Sequence, residues 1–145
     1  MRAAVSVDGE RVAAIDAGLL VLLGVAAGDG AGDAAFIAHK LARLRLFADG
    51  RGQMNRSVAD TGGAILLVSQ FTLLADTRRG NRPGFTAAAR PETAERLYTE
   101  VARHLRHDGL RVETGVFGES MQVELVNDGP VTILLNSRTE DHPVR

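Results

Sequence analysis

The stretch Ala64-Ile65-Leu66-Leu67-Val68-Ser69-Gln70-Phe71-Thr72 is the one on which the fold turns. Its apolar run Ile65 to Val68 predicts a strand across Ala64 to Phe71, and the polar word Ser69-Gln70-Phe71-Thr72 closes it. A strand that ends in hydroxyl and amide side chains brings donors and acceptors to a sheet edge, where sites are commonly built. A second word, Asn127-Asp128-Gly129-Pro130-Val131-Thr132, separates Val123-Glu124-Leu125-Val126 from Ile133-Leu134-Leu135. Glycine lets another molecule approach the backbone closely, while proline removes an amide donor and fixes its own φ. Together the two words predict a site made largely of backbone.

Upstream of that strand, Ala4 to Val7 and Arg11 to Ile15 flank Asp8-Gly9, a dipeptide suited to a type I′ hairpin turn. Leu19 to Val25 is a continuous apolar run between Gly18 and Gly28, which predicts a strand buried on both faces. From Asp33 to Leu44, Phe36, Ile37, Leu41 and Leu44 form one helical stripe, with Asp33 as N-cap. A short strand is expected over Leu44 to Phe47, and Gly52 to Gly63 reads as a surface loop.

Downstream, Asp76 to Phe85 is a second loop with three arginines, Arg78, Arg79 and Arg82, within five residues. A helix starts near Pro91-Glu92, because proline at the first turn needs no amide partner and Ala94, Leu97, Tyr98, Val101 and Leu105 repeat at helical spacing. After Gly109, strands are expected in Arg111 to Val116, Met121 to Val126 and Val131 to Asn136, with Ser137 to Arg145 as a disordered tail. The order is strands, helix, strand, helix, strands, an α/β chain with one domain over residues 1–136.

Composition narrows the function classes. At 145 residues and 45% hydrophobic, the chain fits a single domain with a real core. It has no cysteine, hence no disulfide framework, thiol nucleophile or thiolate metal site. Met1-Arg2-Ala3-Ala4 lacks the apolar segment of a signal peptide, and no apolar stretch approaches the ~20 residues of a membrane span, so a cytoplasmic protein is expected. A net charge of −1 argues against bulk coating of nucleic acid and leaves room for a local basic patch.

Standard catalytic equipment is thin. The four histidines, His39, His104, His107 and His142, form no HExxH-like spacing, so no metal is expected. There is no GxSxG elbow, no phosphate loop and no dinucleotide fingerprint, and no cofactor is called for. Ser69 and Thr72 have no obvious base beside them. The remaining possibility is a substrate that brings its own reactive group, with backbone N–H groups of Gln70, Phe71 or Thr72 forming an oxyanion hole worth ~3 kcal/mol per donor.

Ser69-Gln70-Phe71-Thr72-Leu73, Ala75 to Pro83, Gly115 to Val123 and Asn127 to Thr132 stand in the order and form of the D-aminoacyl-tRNA deacylase family, which the chain resembles from Ala4 to about Asn136. The resemblance implies a mixed, mostly antiparallel fold with two helices and a homodimeric hydrolase that cleaves the ester joining a D-amino acid, or glycine, to the terminal adenosine of tRNA. It implies that the ester lies beside Ser69, Gln70, Phe71 and Thr72, with a ribose hydroxyl of the tRNA assisting. It implies that Gly129 and Pro130, joined by a cis bond, enter the partner subunit's pocket, that Phe117 and Met121 line the pocket wall, and that Arg78, Arg79 and Arg82 contact tRNA phosphates. Carbonyls at Gly129-Pro130 that accept the substrate's α-ammonium and leave no space on the L face would read chirality by exclusion, and glycine would pass.

The chain departs from the family pattern in three places. An additional strand ahead of the segment matching Ala4 to Val7 is absent, which predicts an unpaired sheet edge, the loss of an arginine that buttresses the Gly-Pro loop, and a true start upstream. Leu74 stands where tyrosine is usual and Gly84 where serine is usual. Two further readings compete: a protein that binds the tRNA acceptor end without turnover, and a relative with a trans Gly129-Pro130 bond and a different mischarged substrate.

Overall fold

A computed structural model describes residues 2–138. Asp8 and Gly9 take φ of 50° and 80°, as a type I′ turn requires, and join β1 (Arg2–Val7) to β2 (Glu10–Ile15). β1 also pairs antiparallel with β8 (Gln122–Val126), so the first sheet runs β2-β1-β8. The bare edge expected from the absent family strand therefore does not fall on β1, which is paired on both sides.

The second sheet is parallel throughout, in the order β3 (Gly18–Leu23), β6 (Ala64–Ser69), β7 (Arg111–Thr114). Parallel neighbours need long crossovers, and α1 (Ala31–Arg43) and α3 (Pro91–His107) supply them. Both helices pack on one face of this sheet; the antiparallel sheet covers the other. β6 is the central strand, and its side chains alternate between the two cores. Ile65 and Leu67 join Leu41, Leu97, Val101 and Leu105 under the helices, while Ala64, Leu66 and Val68 meet Ala3, Val5, Ala13 and Ile15 of the other sheet. An unbroken apolar run is what such a doubly covered strand requires.

β3 obeys that rule only in part. It is an edge strand, and Leu22 remains 44% exposed although Leu19, Val21 and Leu23 pack under the helices. The α1 stripe also shifts. Ala34, Ala38, Leu41 and Ala42 are the buried residues, and Phe36 faces outward beneath Lys40, whose Nζ lies 5.8 Å from the ring. Small residues face α3 because close helix packing leaves no space for a phenyl ring. The N-cap is Gly30, not Asp33; Asp33 sits three residues on, and its carboxylate accepts a hydrogen bond back from the Gly30 N–H at 2.9 Å. α3 begins at Pro91 and buries the expected stripe, and the Tyr98 hydroxyl donates to the Leu67 carbonyl at 2.8 Å. Burial raises that phenol's pKa.

Three further expectations are corrected. The short strand is β4 (Phe47–Ala48), later than Leu44, and it pairs with β5 (Met54–Arg56) inside the segment read as loop. That segment also holds α2 (Val58–Thr61), started by a Ser57–Asp60 capping box, in which Asp60 N–H donates to Ser57 Oγ at 3.2 Å and Ser57 N–H to the Asp60 carboxylate at 2.8 Å. One helical turn is too short to leave a periodic signal. Residues 131–136, expected as a strand, have no sheet neighbour among the described residues, so Ile133 and Leu134 stand exposed while Leu135 packs on the helix-side core. Of the expected disordered tail, Arg138 is held by Asp29 at 3.0 Å; residues 139–145 lie outside those described.

Candidate functional site

Chain segments leave the C-terminal ends of all three parallel strands on one edge, the edge at which parallel α/β sheets bind ligands. The middle one follows β6. The Gln70 N–H donates to the Leu23 carbonyl at 2.8 Å, which continues the pairing with β3 and takes this amide out of the expected set of oxyanion donors. The chain then tightens into a 3₁₀ turn over Phe71–Leu74. The first amides of any helix have no acceptor behind them. Accordingly, among the described residues neither the Phe71 nor the Thr72 N–H meets an acceptor, and the two donors stand side by side at the strand end. The Gln70 side-chain amide donates to the Thr72 hydroxyl and so ties the two polar side chains together.

Gly24 lets this turn sit where it does. A Cβ at that position would lie 2.6 Å from Leu74 Cδ2, 3.1 Å from Leu73 Cβ and 3.2 Å from the Gln70 carbonyl oxygen. Phe71 is 58% exposed, and its ring meets Phe85 edge-on with centroids 5.1 Å apart. The segment following Phe85 is stitched to the end of β3 by Ala27 N–H to Ala87 carbonyl (2.8 Å) and Ala89 N–H to Val25 carbonyl (2.9 Å).

The arginine loop is closed at its base by reciprocal backbone hydrogen bonds between Asp76 and Gly84, at 2.7 and 2.9 Å. Its three arginines are not equivalent. Asp76 accepts from the Arg78 N–H at 3.0 Å and from its guanidinium at 2.9 and 2.8 Å, which holds the Asp76 carboxyl far below the usual carboxylate range. Arg79 and Arg82 are exposed with no acidic partner among the described residues.

After β7, Phe117 tilts against Tyr98, with centroids 5.9 Å apart, and enters the helix-side core. Met121 packs with the core between the sheets, over Gly115, where a Cβ would come within 2.7 Å of its sulfur. The two expected wall residues thus enter separate cores. The Gly129-Pro130 bond is cis and both residues are exposed. Within one chain, no hydrogen bond among the described residues joins residues 127–132 to residues 69–74. A surface hollow of about 500 Å³ lies along the polar face of α3 between Glu92, Arg96 and Arg103, and holds none of these residues. Gly24 and Phe85 were not singled out by sequence reasoning, and Asn127 was read only as part of its polar word: a close approach, a ring pair and a side-chain brace leave no periodic mark.

Comparison with known proteins places the chain in a family. The sequence profile of the D-Tyr-tRNA(Tyr) deacylase family matches residues 1–136. The D-aminoacyl-tRNA deacylase of Anaeromyxobacter dehalogenans is 65% identical over 137 residues, covering 94% of this chain and 92% of that protein. The protein of the same name from Syntrophotalea carbinolica is 60% identical over 136 residues, covering 94% and 91%. Among solved structures, one described as a c-Myc DNA unwinding element binding protein superposes with a TM-score of 0.89 at 41% identity, covering 95% of this chain and 94% of that one. A probable eukaryotic D-amino acid tRNA deacylase shares the fold at 14% identity, with a TM-score of 0.72 and coverage of 85% and 87%. The chain belongs to the D-Tyr-tRNA(Tyr) deacylase family.

Proposed function

We propose that this chain, a D-aminoacyl-tRNA deacylase by family, works with backbone donors and substrate hydroxyls in place of a side-chain base. Water adds to the ester carbonyl carbon, and the resulting oxyanion is received by the Phe71 and Thr72 N–H groups. The carbon–oxygen bond to the ribose then breaks, and the ribose oxygen leaves with a proton. The neighbouring ribose hydroxyl assists the proton movements. The observation that carries this reading is the pair of acceptor-less amides at the end of β6. Gln70 contributes through its side chain on Thr72, since its amide is committed to Leu23.

In the same reading Gly129 and Pro130 enter the pocket of a second copy and complete it. The exposed apolar residues Leu125, Val126, Ile133 and Leu134, which follow one another around this loop, support burial against such a copy. Ser69 bounds the substrate at the strand end, while Phe117 and Met121 act on the pocket wall only indirectly, from the two separate cores they pack in. D-aminoacyl and glycyl esters are cleaved and L esters spared, in the cytoplasm. A deacylation time course on D-Tyr-tRNA, L-Tyr-tRNA and Gly-tRNA tests this. Rapid loss of the D and glycyl esters alone supports it, and indifference to chirality or no release at all sinks it.

Two smaller effects follow. Thr72→Ala leaves the backbone donors in place, so kcat/KM on D-Tyr-tRNA should fall by no more than roughly tenfold, the worth of one ordinary neutral hydrogen bond. Complete loss would mean that the hydroxyl itself carries the chemistry. For tRNA affinity, removing Arg79 or Arg82 should each reduce the slope of log K against log salt by about one unit, the signature of one lost phosphate contact. Arg78→Ala should change it less, because that guanidinium is already neutralised by Asp76. Equal effects of all three would assign them a common role.

A further inference from the structure

Among the described residues, no backbone-to-backbone hydrogen bond spans the loop that presents Gly129 and Pro130. Pro130 has no N–H, and residues 131–136 have no strand neighbour among the described residues that would extend the β8 ladder. The loop is closed by one side chain. Asn127 Oδ1 accepts from the Val131 N–H at 2.9 Å, and Asn127 Nδ2 donates to Thr132 Oγ1 at 3.1 Å. These two bonds bring the residue before the turn to the two residues after it, and the Gly129-Pro130 unit hangs between them. Val131, fixed by the first bond, in turn lies against Gly129: a Cβ there would be 2.9 Å from Val131 Cγ2 and 3.1 Å from its nitrogen.

We propose that Asn127 is the positioning residue of the chirality filter. It sets the direction in which the carbonyls of the Gly-Pro unit point, and so decides how well they exclude an L side chain. The inference rests on the proposed role of Gly129 and Pro130 and adds to it the group that holds them. A polar loop braced by a side-chain amide has two independent hydrogen bonds to lose, and each variant below removes a defined part of the brace. Asn127 is itself exposed, so its truncation opens no cavity and exposes no core.

The test compares Asn127→Ala, Asn127→Asp and Thr132→Val, with deacylation of D-Tyr-tRNA and L-Tyr-tRNA, thermal melting, and amide hydrogen exchange at Val131. Asn127→Ala should raise KM for the D ester and reduce the D-over-L preference by at least tenfold, with the melting temperature unchanged and the Val131 amide deprotected. Asn127→Asp should restore preference and protection, because its carboxylate still accepts from the Val131 N–H and accepts a hydrogen bond from the Thr132 hydroxyl in place of donating to it. Thr132→Val, which spares the Val131 bond, should fall between. Equal losses on both esters together with a lowered melting temperature would make Asn127 merely structural and overturn the proposal. So would an unchanged preference in Asn127→Ala, or a Val131 amide that exchanges freely in the wild type. A wild type inactive on every ester sinks the deacylase reading itself, and this one with it.

Discussion

Gly129→Ala is expected to lower kcat/KM on D-Tyr-tRNA by at least a hundredfold while leaving the melting temperature within a degree or two of wild type. Gly129 has φ of +142°, a region that alanine adopts only under strain, and the added methyl would press on Val131 at 2.9 Å. The exposed loop shifts as a whole, and the carbonyls proposed to face the substrate shift with it. A displacement of an ångström at a positioning group costs on the order of a hundredfold in rate. The residue is exposed, so little folding energy is at stake. The pattern to measure is steady-state kinetics beside a thermal melt. Loss of stability in step with loss of rate would show that the loop belongs to the folding core; unaltered kinetics would remove Gly129 from the site.

Gly18→Ala should do the reverse, disabling the fold with no residue of the site touched. Gly18 opens β3 opposite Ala64, the first residue of β6, and a Cβ there would lie 1.8 Å from the Ala64 carbonyl oxygen and 2.8 Å from its carbon and nitrogen. These are backbone atoms, so no rotamer change relieves the overlap. The two strands must separate at their first pair, where the Ala64 N–H also donates to the Ala17 carbonyl at 3.0 Å. Overpacking of a well-fitted site costs about 1–3 kcal/mol. Adding about 1 kcal/mol for alanine at a φ of +153° places the loss at about 2–4 kcal/mol. For a chain of this size that is a fall in melting temperature on the order of 5–15 °C. Chemical denaturation with a thermal melt reads it directly, and a loss below about 1 kcal/mol would mean that the strand start yields easily.

These two glycines mark how far the sequence can be read. Asp8-Gly9, the start of α3 at Pro91 and the stripe from Ala94 to Leu105 were legible because turn chemistry and helical spacing are local properties. The words Ser69 to Thr72 and Asn127 to Thr132 stood out as candidate sites because polar residues interrupt apolar strands there, and their order narrowed the reading to the family. The α1 stripe was misread because phenylalanine and alanine are both apolar, and only the spacing between α1 and α3 chooses the smaller one. The four-residue helix after Ser57 was missed because a single turn has no period to detect.

The sequence by itself determined the β1–β2 hairpin, the central strand β6 and the helix α3, and marked two polar words as candidate sites, since each rests on residues adjacent in the chain. Tertiary structure alone decided that Gln70 gives its amide to Leu23 while Phe71 and Thr72 keep theirs, and that residues 131–136 find no strand partner among the described residues. A hydrogen-bonding group has many acceptable partners, and the one it takes is set by which distant segment the packing of the cores brings within about 3 Å.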